Sequence, residues 1–154
     1  DDDNHRHDLG HRPFDGFAEA KGFNDLGNMR EVLPHYQSSV GMARRAWAKQ
    51  HRAELVGFIR GYVEAGRWLF DKSNKDAAIG VLMNTTPNLT RDGAERIYTD
   101  TTGQSSTTSP TAALDRKGVA TVVSLRSRYG EPKHKLDAKQ FYDLSYYHAA
   151  LKAK

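Results

Sequence analysis

Residues 46–70 read AWAKQHRAELVGFIRGYVEAGRWLF. No proline interrupts them, and apolar residues recur at the i, i+3, i+4 spacing of a helix face. The stretch predicts a long helix from about Arg44 to Phe70, with a break near His51 where a second helix starts. Leu55, Ile59, Tyr62, Gly66 and Leu69 form one apolar stripe. Val56, Val63 and Phe70 form a heptad-spaced stripe beside it, and Phe58 and Ala65 widen the first on its other side. The apolar arc is wider than the roughly 100° of a surface helix. Each large apolar side chain, fully buried, contributes about 1.5–3 kcal/mol, so a stripe left bare is costly or marks an interface. The helix is therefore expected to be wrapped by neighbours on most sides. Arg45, Arg52, Arg60 and Arg67 are expected on the remaining, solvated face.

Outward from this rod the chain reads as more helices. Upstream, residues 32–42 (VLPHYQSSVGM) lack helical period. Val32, Tyr36 and Val40 predict a short extended segment, with Pro34 placing it at an edge or a strand start. Residues 13–22 (PFDGFAEAKG) predict a short helix, with Pro13 in the first turn and Gly22 at the end. Downstream, Asn74 is the expected N-cap of a helix over 75–84, and Thr90 that of a helix over 91–99. Residues 99–112 (TDTTGQSSTTSPTA) read as a polar loop. Asp115 is expected to cap a helix over 116–129, followed by Gly130. A last helix is expected from about Ser145. The fold class is mainly α with one or two short strands. Residues 1–11 form an acidic, His-rich arm, and 12–154 a single helical domain.

Totals narrow the chemistry. The chain has 154 residues, 38% hydrophobic and 27% charged, with no cysteine and a net charge of +4. The lack of cysteine excludes disulfides, thiolate nucleophiles and Cys-ligated metal centres. No run of apolar residues is long enough to span a bilayer. No nucleophile elbow, phosphate loop, HExxH or paired-carboxylate spacing is present, so no enzyme and no cofactor are expected. His5, His7, Asp8 and His11 offer nitrogen and carboxylate ligands at metal-binding spacing. They read as weak candidates against a solvated arm, and no metal is expected. Arg44, Arg45, Arg52, Arg60 and Arg67 admit a second reading, a small basic helical module binding nucleic acid or another anion. Their sparse spacing and the neighbouring Glu54 and Glu64 favour a solvated face instead, and nucleic acid is the disfavoured partner. Tyr142, Tyr146 and Tyr147, with Phe141 and Leu144, read as an aromatic group docking the last helix.

Three segments carry a resemblance. VLPHYQSSVGMARRAWAKQHRAELVGFIRGYVEAGRWLFDKSNKDAAIGVL (residues 32–82), RPFDGFAEAKGF (12–23) and FYDLSYYHAAL (141–151) resemble the solute-binding proteins of ABC importers. The match is to the nitrate/sulfonate/taurine and thiamine-pyrimidine-precursor types. It spans about Arg12 to Leu151 and covers only the C-terminal half of the family's pattern of two α/β lobes. The resemblance implies a partial type II periplasmic-binding-protein-like lobe and capture of a small anionic or heteroaromatic solute such as a sulfonate, nitrate or pyrimidine. It also implies delivery to a membrane permease, with the parent protein periplasmic or lipid-anchored outside the cytoplasm. Arg12, Phe14 and Asp15 resemble the segment at the lobe junction that faces the ligand. His35, Tyr36, Gln37 and Ser38 lie where the family's chain recrosses between lobes. The greasy helix would then pack against scaffold encoded elsewhere, and in this chain the cover is expected from rearranged helices, a separate chain or another copy of itself, a homo-oligomer being the expected partner state.

Overall fold

The computed structural model describes residues 21–24, 27, 29–103, 106 and 108–152. The arm over 1–11, with its histidine group, lies outside these residues, as does all but the end of the helix expected over 13–22. Among the described residues the protein is mainly helical and has no strand. The helices are α1 (Met29–Val32), α2 (Arg45–Gln50), α3 (Arg52–Phe70), α4 (Lys75–Thr85), α5 (Arg91–Thr102), α6 (Arg116–Tyr129) and α7 (Ser145–Lys152). Short 3-10 turns cover Lys72–Asn74 and Ala138–Phe141. The chain divides into two compact units, Asp1–Gly27 with Lys75–Ser106 and Asn28–Asn74 with Thr107–Lys154.

The second unit is built on the predicted rod. The break falls at His51, whose φ of −114° and ψ of 44° interrupt the helical run. Its imidazole stacks on Trp47 with ring centroids 4.9 Å apart, so the bend is sealed by an aromatic pair. Helix α7 packs along α3. Val63 is only 2% exposed, and Ala48 and Ala150 are also buried. The segment 109–111 crosses α3 at Gly66, where an added Cβ would stand 2.8 Å from the Pro110 carbonyl oxygen. The Tyr147 hydroxyl fastens that crossing by donating to the Thr111 carbonyl at 2.9 Å. The tyrosine group thus docks the last helix, with a polar tip reaching the loop.

Arg45, Arg52, Arg60 and Arg67 are exposed, as expected, and two of them also reach the terminal segment. Arg45 donates to the Gln140 carbonyl, and the Arg52 guanidinium lies 4.8 Å from the centroid of the Tyr146 ring. Both therefore hold the terminal segment down, because a guanidinium satisfies a carbonyl or an aromatic face without leaving water entirely. Arg60 pairs with Glu64 at 3.8 Å. One flank of α3 stays bare: Phe58 is 68% exposed, Tyr62 64% and Trp68 42%. Phe58 and Tyr62 stack on each other with centroids 6.4 Å apart.

The first unit pairs α4 with α5. These helices carry the buried side chains Ala78, Ile79, Ala94 and Tyr98, and Ile79 is wholly enclosed. The Tyr98 hydroxyl is buried and has no hydrogen-bond partner among the described residues. Thr90 caps α5 as expected, accepting from the Gly93 amide at 3.2 Å. Arg91 of α5 reaches Asp76 of α4 at 2.6 Å and also pairs with Glu95 on its own helix at 3.1 Å.

Two local expectations fail for stated reasons. Residues 33–44 form no strand. A strand needs a ladder partner, and none exists among the described residues; the Gln37 side chain instead donates to the Ser39 carbonyl at 2.7 Å. Asn74 does not cap α4. It closes the 3-10 turn, and its side-chain amide donates back to the Trp68 carbonyl at 3.0 Å, which also accepts from the Asp71 amide at the end of α3.

The glycines of α3 give a paired test. Gly66→Ala forces the 109–111 crossing off the helix and is expected to lower stability by about 1–3 kcal/mol. Gly61→Ala meets no atom within 4 Å and is expected to raise stability by about 0.5–1 kcal/mol through helix propensity. Urea midpoints of the two variants should move in opposite directions.

Candidate functional site

Of the residues singled out by sequence, Arg12, Phe14 and Asp15 lie outside the described residues, as do His5, His7 and His11. His35, Tyr36, Gln37 and Ser38 are described, and the structure brings His35, Tyr36 and Gln37 onto the first turn of α6. His35 Nδ1 is 2.9 Å from a carboxylate oxygen of Asp115. The Asp115 amide donates to the Gln37 side-chain oxygen at 3.0 Å. The backbone of Tyr36 and Gln37 passes so close to Gly118 that an added Cβ there would lie 2.7 Å from the Gln37 nitrogen and 3.0 Å from the Tyr36 carbonyl carbon. Gly118 is buried, and only hydrogen fits in place of its side chain.

Asp115 organises this cluster. One carboxylate oxygen accepts from the Lys117 amide at 3.0 Å, capping α6, and the other faces His35. The hydrogen bond with His35 pulls the carboxyl below the ordinary aspartate range, and the amides of Gly118 and Lys117 act in the same direction. A carboxylate at a helix N-terminus is also favoured by the helix dipole. This end of α6 therefore already holds an anion. His35 and Gln37 bond its cap, Gln37 half-buried and His35 exposed, while Tyr36 and Ser38 are exposed with no side-chain bond to it.

The expected hydrogen-bonding residues are in this way divided into anchors and surface groups. Asp115 was legible as a cap, but nothing in sequence spacing pairs residue 35 with residue 115. Gly118 carries the one usable signal, a glycine inside the first turn of an otherwise good helix.

Elsewhere, Lys75, Asp92, Glu95, Arg96, Thr99 and Asp100 line a shallow recess in the first unit. It mixes both charges and lacks the apolar walls that bury a small molecule. Among the described residues no group of three or more His, Asp or Glu is placed to hold a metal ion. No described helix is long and apolar enough to cross a membrane.

A pH prediction follows from the sign of the Asp115 shift. A carboxyl depressed in the folded state stabilises the fold fully above its unfolded value, near 3.8, and loses that contribution as pH falls toward the lower folded value. Asp115→Asn keeps a capping oxygen and removes the titration. The urea midpoint of the wild type is expected to exceed that of the variant at neutral pH, with the gap closing below pH 3.8.

No family model matches this sequence, and comparisons with curated proteins and with solved structures find no match either.

Proposed function

We propose that this chain is the C-terminal part, or a truncated relative, of an ABC-importer solute-binding protein of the nitrate/sulfonate/taurine or thiamine-pyrimidine-precursor type. Its helices would belong to one type II periplasmic-binding-protein-like lobe. The complete protein would capture a small anionic or heteroaromatic solute outside the cytoplasm and present it to a membrane permease. Capture would rest on hydrogen bonds and lobe closure, with no covalent chemistry and no cofactor.

One observation carries this proposal beyond the resemblance of 12–151: the bare aromatic flank of α3, Phe58, Tyr62 and Trp68. Such a flank on a long helix is what a lobe sheet supplied by other parts of a larger protein would cover. The segment 35–38 adds support. A chain recrossing between lobes needs a fixed base and free ligand-facing groups. His35 and Gln37, held by Asp115, would serve as the base. Tyr36 and Ser38 would be free to face the solute; Arg12, Phe14 and Asp15 enter this reading through the resemblance alone.

The arginine-face alternative is weakened, since Arg45 and Arg52 are engaged by the terminal segment. The two readings separate in one experiment on the product of the complete encoding reading frame. A thermal-shift screen of nitrate, alkanesulfonates and pyrimidines is expected to show saturable stabilisation by one class. The effect should reach about 2.7 kcal/mol at roughly 100 times Kd and depend weakly on salt. No response to any solute, with DNA affinity falling steeply as salt rises, would replace this function with that of a basic binding module.

A further inference from the structure

We propose that the bare flank of α3 is the docking face for a second copy of this chain, with the two α3 helices running antiparallel. The inference does not rest on the transporter proposal. A second copy would cover the same flank that the transporter proposal leaves to other parts of a larger protein, so a dimer shown here would remove that flank as support for the transporter reading.

The flank is a continuous stripe. Glu54, Phe58, Gly61, Ala65 and Trp68 follow one another by steps of three or four, so they share a helix face, and Gly57 lies beside them one turn before Gly61. All six are exposed, and Lys72 is exposed just past the helix end. Added Cβ atoms at Gly57 and Gly61 would meet nothing within 4 Å. The middle of the stripe is thus a shallow trough with aromatic side chains along it. Small residues at this spacing let two helix backbones approach closely, and the flanking aromatics then supply the apolar area.

The choice of occupant comes from the order of residues along the stripe. It is nearly palindromic about position 63. Gly61 mirrors Ala65, Phe58 mirrors Trp68, and Glu54 mirrors Lys72. A two-fold axis at this point places small against small and aromatic against aromatic. It also brings the acid at one end of each rod to the base at the other end of its mate. An isologous contact requires this kind of self-complementarity; a parallel pairing would set Glu54 against Glu54. Antiparallel helices also align their dipoles favourably.

Size sets the strength. A helix of 19 residues is about 28 Å long. One helix pair of that length buries less than the roughly 800 Å² per partner of a standard interface. The dimer is therefore weak and reversible.

Sedimentation equilibrium of the full chain, from low micromolar to near-millimolar protein, tests the proposal. The mass is expected to rise from 17.3 kDa toward twice that value. Gly61→Leu fills the trough and is expected to raise the dimer dissociation constant about tenfold or more. The same change favours the helix itself, so circular dichroism and thermal stability of the monomer should not fall. Glu54→Lys and Lys72→Glu should each weaken the dimer, and the two together should restore it. A chain that stays monomeric throughout, a dimer untouched by Gly61→Leu, or a double variant that fails to recover would each overturn the proposal.

Discussion

Everything in the larger unit turns on how a single rod is enclosed. Helix α3 carries apolar groups around more than half its circumference, yet the chain brings cover to only part of it. Helix α7 and the segment 109–111 seal the side centred on Val63. The other side keeps two aromatic rings stacked on each other in water. Stacking reduces their exposed area without removing it. The interior is correspondingly small: among the described residues the buried side chains of this unit are Ala48, Val63 and Ala150, so polar fastenings do much of the positioning.

Those fastenings follow a common logic. Each uses a side chain to satisfy a backbone group left open by a helix end or a loop. Asp115 serves the first turn of α6, Thr90 that of α5, and Asn74 the last turn of α3. Asp143 accepts from the Ser145 amide at 2.9 Å at the start of α7. Its carboxyl is lowered chiefly by that amide, with Arg45 and Arg52 adding to the effect. The arginines of α2 and α3 reach the same segment through Gln140 and Tyr146. A terminal helix of eight residues is marginal alone, and these contacts hold it where packing alone would not.

Much of the helical layout was legible from residues. Apolar periodicity gave the rod and its break at His51, and Thr90 and Asp115 marked the starts of α5 and α6 one residue ahead of each helix. These signals are local, and local rules suffice for them. What failed depended on partners remote in sequence. Val32, Tyr36 and Val40 have strand propensity, but a strand is a pairwise object and found no ladder. The departure at Asn74 is local instead: it stands one residue ahead of α4, but its side-chain amide is turned back to donate to the Trp68 carbonyl. The charged face of the rod looked uniform, yet Arg45 and Arg52 lie where the last helix returns. The candidate site shows the same limit: His35 and Gln37 were noticed as hydrogen-bonding residues, while their partner stands 80 positions away.

The crossing at Gly66 has a consequence for how this sequence can drift. The atom that presses on the helix there is a main-chain oxygen of Pro110, and the group held by Tyr147 is also main chain. Replacing side chains on the overlying strap leaves both atoms in place, whereas any side chain larger than hydrogen at position 66 displaces the strap. Variation is thus tolerated on one side of the junction and barred on the other. A collection of diverged sequences should show a fixed position 66 beneath a freely changing 109–111.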